Sequence, residues 1–260
     1  MDLEIIILAA GKGTRMRSTL PKVLQPLAGM TLLEHVVNTA NTMRPRTISV
    51  VYGHGGDLVP KQLSHVEAIH WVVQAEQLGT GHAVMQAHPH LQADGIVLVL
   101  YGDVPLTQVT TLNRLLENFQ QAETAIALLT ATLDDPSGYG RIIRDQNNQV
   151  IAIVEEKDAT TDQKKIGEVN TGILAAKGSL LAGWLDQLDT NNAQGELYLT
   201  DIIRMAVADG QSVQTAFAEH DWEILGVNDK LQLSALERQF QLNQAQVLMR
   251  AGATLLDPHR

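Results

Sequence analysis

The chain has 260 residues, is 45% hydrophobic and 18% charged, and carries a formal net charge of −10. This composition argues against a wholly disordered chain, and the acidic balance argues against nucleic acid as the main partner, because duplex binding needs a broad basic face. The absence of cysteine excludes disulfides, thiolate zinc sites and cysteine nucleophiles, and it is compatible with the reducing cytoplasm in which we expect the protein.

The N-terminal half alternates apolar runs of strand length with helical patterns. Strands are predicted at Leu3–Leu8, Thr47–Tyr52, Ile69–Val73, Gly95–Leu100 and Thr124–Leu133. Helices are predicted at Thr31–Met43, Gly81–His90 and Thr107–Gln121. The first apolar run contains Glu4 and is too short to cross a membrane, so we expect no membrane partner. The alternation predicts an α/β doubly wound fold with a mixed, mostly parallel sheet.

The C-terminal half has a different pattern. It predicts a hairpin, three further strands and a helix that ends by Gly210. The hairpin strands are Gly140–Arg144 and Gln149–Val154, and the further strands are Gly167–Ala176, Ser212–Phe217 and Asp221–Ile224. A long helix is predicted at Asn228–Ala251, ended by Gly252, with an apolar stripe of Leu233, Leu236, Phe240 and Val247. We therefore divide the chain into a domain (1–227), a helical arm (228–252) and the start of a further domain or tail (253–260).

A basic, glycine-containing segment follows the first predicted strand. From Gly11 to Gly29 there is no Asp or Glu, but there are four cations, Lys12, Arg15, Arg17 and Lys22. Such a segment at the end of a strand suits a polyanion held by backbone N–H groups and cations. Gly11-x-Gly13 is not a full dinucleotide fingerprint, because Met16 stands where the third glycine would fall. A simple glycine turn is the alternative.

Two more motifs follow predicted strands. The block Gln74–Ala83 contains an amide that can donate and accept, which matches the paired edge of a pyrimidine, although a polar strand end followed by a helix start is the alternative. Asp103, in Tyr101-Gly102-Asp103, follows a buried strand; it is either a helix cap or a ligand for Mg²⁺, which takes one or two carboxylates plus substrate phosphates.

These motifs together resemble a known family. The residues 8–16 with Pro21-Lys22 resemble the signature of nucleotide-sugar pyrophosphorylases, and Gln74–Ala83 resembles the uracil-recognition segment of the bacterial N-acetylglucosamine-1-phosphate uridylyltransferases. The resemblance runs from about Leu3 to Asn228 and continues to Pro258. It implies a Rossmann-like nucleotidyltransferase fold, Mg²⁺ as cofactor, UTP and N-acetylglucosamine 1-phosphate as substrates, and UDP-N-acetylglucosamine and pyrophosphate as products.

The resemblance also implies the site residues. Arg15, Lys22 and Asp103 are the expected catalytic residues, and Asp103 and Asn228 the expected metal ligands, although Asn228 could instead cap the long helix. The substrate-binding residues that it implies are Leu8, Ala9, Ala10, Gly11, Lys22, Gln74, Gly79, Thr80, Tyr101, Gly102, Asp103, Gly140, Glu155, Asn170, Tyr198, Thr200 and Asn228.

The chain departs from this family in one respect, and other functions stay open. In the family the long helix leads to a left-handed β-helix with an acetyltransferase, which is lacking here; because the family trimerises through that half, we expect a monomer for this chain and a trimer where that half is present. The alternatives are a nucleotidyltransferase for dTTP or CTP, a non-catalytic sugar-nucleotide binding domain, and a Rossmann oxidoreductase, which Met16 disfavours.

Overall fold

The computed structural model describes residues 2–91, 94–121 and 124–259. Its strands are β1 (Leu3–Ala9), β2 (Pro26–Leu27), β3 (Met30–Thr31), β4 (Thr47–Tyr52), β5 (Ile69–Val73), β6 (Ile96–Tyr101), β7 (Ile126–Thr132), β8 (Gly140–Arg144), β9 (Val150–Val154), β10 (Glu168–Lys177) and β11 (Val213–Phe217). Its helices are α1 (Leu32–Thr42), α2 (Leu58–Gln62), α3 (Thr80–Ala87), α4 (Val109–Gln121), α5 (Gly178–Leu185), α6 (Asp201–Ala208) and α7 (Lys230–Arg250). Met1 and Arg260, the ends of our domain division, lie outside the described residues.

The main sheet is mixed and mostly parallel, as predicted. Its strand order is β11-β7-β10-β6-β1-β4-β5, and the β8–β9 hairpin joins it through β10. β10 is antiparallel to both of its neighbours, β6 and β7, whereas β1 is parallel to β4 and β6. The register pairs Leu8 with Tyr101 and Ala9 with Tyr52. The loops that follow β1, β4 and β6 therefore leave the sheet at one edge, where α/β folds bind ligands.

Both faces of the sheet are covered by helices, which explains the continuous apolar runs in the central strands. In β1, Ile5 and Ile7 belong to the core beneath α1, α2 and α4, and Ile6 and Leu8 to the core beneath α3, α5 and α6. Trp184, on α5, is 2% exposed, and its indole N–H donates to an Asp209 carboxylate oxygen at 2.8 Å. The alternation of side chains along β1 thus builds two cores, and the fold is the predicted doubly wound α/β type.

Two features differ from the sequence prediction. The segment predicted as a strand at Asp221–Ile224 is a 3₁₀ helix, so that prediction was wrong. Glu223 is 1% exposed, and its carboxylate accepts from the backbone N–H groups of Gln108 and His220, both at 3.2 Å. This carboxylate satisfies local backbone donors and favours a turn over an extended strand. The helices α2 and α5 were not predicted, because both are short and lack a long periodic pattern.

The long helix α7 packs on the loop that follows β1. Leu236 is buried in a cluster with Met16 and Leu27, and the Glu237 carboxylate accepts from the Ala28 N–H at 2.7 Å. Val247 is 57% exposed, so the C-terminal part of the predicted stripe is not covered. No helix in the described ranges is long and apolar enough to span a membrane.

Candidate active site

A cleft of about 460 Å³ lies at the carboxyl edge of the sheet, against the loops that follow β1, β5 and β6. It brings together most of the residues predicted for the nucleotide side of the site. The predicted residues that line it are Leu8, Ala9, Ala10, Gly11, Lys22, Gln74, Gly79, Thr80, Tyr101 and Asp103. Gly102 lies beside them, because its N–H donates to the Leu8 carbonyl at 2.9 Å.

The loop after β1 places Lys22 at this cleft. Gly13 has a φ of +58°, and a Cβ at this position would lie 2.5 Å from the Cβ of Lys22, so the close packing of the two segments requires glycine. Met16 is buried, which anchors the loop to the body. Arg15 is exposed and is not among the residues that line the cleft, so its predicted catalytic role stays a prediction.

Lys22 and Asp103, which line the cleft, meet Asn228, which is not among the lining residues. The Lys22 ammonium donates to Oδ2 of Asp103 and, at 3.2 Å, to Oδ1 of Asn228. The Lys22 and Asp103 side chains are only 13% and 15% exposed. Asn228 is held there because the neighbouring Val227 N–H donates to the Asp103 carbonyl at 2.9 Å.

The residue that caps α7 is Asp229. Its Oδ1 accepts from two backbone N–H groups in the first turn of the helix, each at 2.9 Å. The side chain of Asn228 points instead toward Lys22, and its backbone N–H donates to the Gln232 side chain at 2.7 Å. The structure therefore assigns the cap of α7 to Asp229, and the metal role of Asn228 stays a prediction.

Asp103 and Asn228 also fit a divalent cation. In the described ranges there is no group of three or more His, Asp or Glu side chains that could hold a metal. One carboxylate oxygen and one amide oxygen nevertheless converge on a single cation, the Lys22 ammonium. These are hard oxygen donors, and Mg²⁺ is commonly held by one or two protein ligands together with substrate phosphates and water. The pair is thus suited to a cation that arrives with a phosphorylated substrate.

Gln74 forms the opposite side of the cleft. Its side chain is 3% exposed, and its Nε2 donates to the Gly79 carbonyl at 3.1 Å. Gly79 has a φ of +118°, and a Cβ there would meet the Leu197 carbonyl oxygen at 2.5 Å. The Thr80 hydroxyl accepts from the Leu199 N–H at 3.1 Å. The Thr80–Leu199 bond and the close approach of Gly79 to Leu197 join the Gln74–Thr80 segment to the chain before α6.

The residues predicted to bind a sugar form a second wall. The Thr200 hydroxyl donates to Oε1 of Glu155 at 2.9 Å, and Asn170 pairs with Gly140 in the β8–β10 register. Asn170 Oδ1 also accepts from the Gly172 N–H at 3.1 Å.

This second wall does not line the 460 Å³ cleft directly. Glu155 and Tyr198 line an adjacent cavity of about 390 Å³, and the Tyr198 hydroxyl donates to Asp158 at 3.3 Å. Tyr101 stands between the two regions: burial raises the pKa of its phenol, and the charges of Glu155 and Asp103 raise it further. The structure therefore brings the predicted residues into two neighbouring groups on either side of Tyr101.

Several carboxyl groups lie close together at the second wall. Burial raises the pKa of Glu155; the hydrogen bond from Thr200 opposes this shift, and the nearby carboxylates of Asp158 and Asp201 add to it. Burial likewise raises the pKa of Asp201. A group of carboxylates here suits the recognition of hydroxyl and amide N–H donors and not of a phosphate.

Three polar residues that line the cleft were not predicted as site residues. They are Lys12, Gln77 and Glu196. Lys12 belongs to the basic segment, and that composition could have indicated it. The Gln77 Nε2 donates to the Gln74 carbonyl at 3.0 Å, which braces the segment. Glu196 precedes α6 by four residues in a chain region that only the tertiary structure brings to the cleft.

The chain is similar to known proteins over its whole length. Residues 5–160 match the family model described as the MobA-like NTP transferase domain. The chain is 56% identical over 260 residues to the bifunctional protein GlmU of Stutzerimonas stutzeri, and 54% identical over 259 residues to that of Nitrosospira multiformis. The match to the Stutzerimonas protein covers 100% of this chain and 57% of that relative, and the match to the Nitrosospira protein covers 99% and 56%. The chain therefore spans little more than half the length of these relatives. This similarity confirms the resemblance that the sequence motifs indicated.

Solved structures with the same fold include two nucleotidyltransferases. A nucleotidyl transferase from Methanothermobacter thermautotroptrophicus superposes with a TM-score of 0.65 at 21% identity, covering 92% of this chain and 97% of the other. A UDP-glucose pyrophosphorylase complexed with UDP-glucose superposes with a TM-score of 0.74 at 15% identity, covering 92% and 98%. At these identities the likeness establishes the fold alone.

Proposed function

Since the chain belongs to the family of MobA-like NTP transferase domains, we propose that it transfers a uridylyl group from UTP to N-acetyl-α-D-glucosamine 1-phosphate. The products are UDP-N-acetylglucosamine and pyrophosphate. The observation that carries the proposal is the meeting of Lys22, Asp103 and Asn228 at the cleft that Gln74 lines, with Glu155 in the neighbouring cavity. The identity of 54–56% to bifunctional GlmU relatives supports it.

The reaction needs positioning and charge neutralisation more than proton transfer. A phosphate oxygen of the sugar phosphate attacks the α-phosphorus of UTP, a new P–O bond forms, and the bond to the β-phosphate oxygen breaks so that pyrophosphate leaves with its electron pair. The nucleophile is already an anion, so no general base is required. The protein's contribution is to hold two polyanions in line and to stabilise the charge of the leaving group. Lys22 and Arg15 are the cations that we assign to this task.

We propose Mg²⁺ as the metal, held by Asp103 and Asn228. When bound, the ion supplies neutralisation of phosphate charge. The same two oxygens accept from the Lys22 ammonium, so Lys22 would release them when they hold a metal ion, and its ammonium would then be available to substrate phosphates. Lys22 would thus serve as the counter-charge of Asp103 before substrate arrives and as a phosphate ligand afterwards.

The two walls have separate recognition tasks in this proposal. Gln74, Gly79 and Thr80 read the base, and the backbone of residues 8–11 approaches the nucleotide. Glu155 and Asn170 accept from hydroxyl and N-acetyl N–H groups of the sugar, and Gly140 allows the close approach of the chain. The buried Thr200 hydroxyl supports this by orienting the Glu155 carboxylate.

We extend the proposal to the organisation of the protein. The domain of residues 1–227 would carry the activity, α7 would form the arm within 228–252, and residues 253–260 would lead onward. We infer that the chain alone is a cytoplasmic monomer and that trimers form through the part of the relatives that it does not span. Sedimentation at several concentrations tests this; a concentration-independent trimer of this chain alone would contradict it.

A substrate panel tests the function directly. Pyrophosphate release is measured with UTP, CTP, dTTP and GTP against N-acetylglucosamine 1-phosphate, glucosamine 1-phosphate and glucose 1-phosphate, with and without Mg²⁺. We expect the highest kcat/KM with UTP and N-acetylglucosamine 1-phosphate, and no turnover after chelation of the metal. A preference for CTP or dTTP would favour the alternative transferase, and no pyrophosphate above background would favour a binding domain.

A further inference from the structure

The Gln74 amide is held in one orientation by two acceptors. Its Nε2 lies 3.1 Å from the Gly79 carbonyl oxygen and 3.0 Å from Nδ1 of His82, on α3. A carbonyl oxygen can only accept, so the amide atom facing Gly79 must be the NH₂ group. The same NH₂ group faces His82. Both of its protons are therefore used inside the protein.

The second bond determines the state of the His82 ring. Because Gln74 donates to Nδ1, this nitrogen must carry a lone pair, and the proton of the neutral imidazole lies on Nε2. The side-chain amide of Gln86, one turn further along α3, lies with its nitrogen 3.1 Å from His82 Nε2 and 3.5 Å from the His82 carbonyl oxygen. An imidazole keeps a proton on at least one nitrogen, so the two amides cannot both donate to it. Gln74 is fixed by Gly79, so the Gln86 amide is the one that has to turn and present its oxygen to the Nε2 proton.

Only the amide oxygen of Gln74, a hydrogen-bond acceptor, is therefore available to a ligand. Gln74 lines the cleft, and no donor within the described part of the chain bonds its Oε1. An acceptor at this place complements the N3–H group of uracil, which is a donor. The corresponding N3 of cytosine carries no proton, so it would face Oε1 as a second acceptor. Thymine has the same paired edge as uracil and is not distinguished by this contact.

We propose that His82 is a positioning residue that sets the choice between uracil and cytosine, by holding the Gln74 amide with its oxygen toward the base. The proposal rests on the proposed function, because it concerns the base of the same nucleotide. His82 acts through Gln74 and does not touch the substrate itself. Without the Nδ1 acceptor, one amide proton loses its partner and the amide can turn, which presents a donor to the base.

Substitution of His82 tests the proposal through a ratio. We compare kcat/KM for UTP, CTP and dTTP in the wild type, in His82→Leu, which has no acceptor, and in His82→Asn, whose Oδ1 can accept from Gln74. Leaving a polar group mispaired in such a site changes discrimination by about tenfold or more. We expect the UTP-to-CTP ratio to fall at least tenfold in His82→Leu and to recover to within about threefold of wild type in His82→Asn. The UTP-to-dTTP ratio should stay constant in both variants.

A purely structural role for His82 predicts a different result. It would lower activity with all three nucleotides together and leave the UTP-to-CTP ratio unchanged, and that outcome would overturn the proposal. If the wild type does not use UTP at all, the proposed function itself fails, which is a distinct result.

A second measurement needs no substitution and does not depend on activity. A long-range ¹H–¹⁵N spectrum of histidine-labelled protein reports the tautomer of each imidazole. We expect His82 as a neutral ring with its proton on Nε2 and a bare Nδ1. A ring with its proton on Nδ1 could not accept from Gln74, and finding it would overturn the proposal even if the variants fail to fold.

Discussion

Asn228 and Asp229 are adjacent in the chain but have different roles, so alanine variants of the two can be compared directly. Asp229 caps α7 through two hydrogen bonds of 2.9 Å, whereas the Asn228 side chain lies 3.2 Å from the Lys22 ammonium. Loss of a helix cap of this kind costs about 1 kcal/mol. In a domain of this size that corresponds to a fall in Tm of about 2–4 °C. Asp229→Ala should therefore lower Tm by this amount and keep kcat/KM near the wild-type value.

Asn228→Ala should have the opposite profile. Its backbone bond to Gln232 is not affected by the change, and Lys22 keeps Asp103 as a partner, so the loss of stability should stay below about 1 kcal/mol. Loss of a group that stabilises charge in the transition state is worth about 2.7 kcal/mol, which is about 10²-fold in rate. We therefore expect kcat/KM to fall about 10²-fold and the Mg²⁺ concentration for half-maximal rate to rise.

The assay combines pyrophosphate release over a Mg²⁺ titration with thermal denaturation of the same samples. The reasoning is refuted if Asn228→Ala loses Tm and keeps its Mg²⁺ dependence while Asp229→Ala loses activity. It is also refuted if both variants keep the wild-type kcat/KM, since the metal would then need other ligands.

Three further predictions concern other parts of the fold. Lys22→Ala should lower kcat/KM about 10²-fold. The control is Lys165→Ala, which removes a 72%-exposed lysine from a surface ion pair and should leave kcat/KM within about twofold of the wild type. Equal kcat/KM values for the two variants would contradict the assignment of Lys22 to the phosphates. Because burial raises the pKa of Glu155, the protonated carboxyl stabilises the folded protein at low pH, and this contribution is lost as pH rises through the pKa of the folded state. The free energy of unfolding of Glu155→Gln should therefore increase relative to that of the wild type between pH 4.5 and neutrality. Urea denaturation checks this, and a difference between the two proteins that does not change with pH would disprove it. Gly183 lies in α5, and a Cβ added there would have nothing within 4 Å, so Gly183→Ala should raise the free energy of unfolding by about 0.5–1 kcal/mol. An unchanged midpoint of urea denaturation would contradict this.

Much of the fold could be predicted from local patterns. The runs that became β4 and β5 were predicted with the observed bounds, because each is a short stretch rich in β-branched and aromatic residues that is followed by a glycine or a polar residue. The segment Asp221–Ile224 shows where such patterns mislead. Its apolar residues resemble those of a short strand, but a buried glutamate carboxylate that accepts from two backbone N–H groups determines the turn.

Several of the residues that line the cleft could also be predicted from local patterns. The glycine and basic residues after β1 indicate an anion site because they act within one short loop, and Gln74 and Asp103 could be identified because each follows a strand. Arg15 was predicted but is exposed and does not line the cleft, whereas Glu196 lines it and was not predicted. Which residues line the cleft depends on how distant segments pack, and local patterns do not contain this information.

The sequence by itself therefore determined the alternation of strands and helices, the edge of the sheet at which the cleft lies, and several of the residue types that line it. The tertiary structure alone decided which of these residues meet. Lys22 is separated by 81 residues from Asp103 and by 206 residues from Asn228, and contacts at such separations depend on the register of β1 with β6 and on the packing of α7. It also decided that Asp229 caps the helix and that the Gln74 amide has its oxygen free, because hydrogen bonds of this kind are selected by geometry in three dimensions and leave no periodic pattern in the sequence.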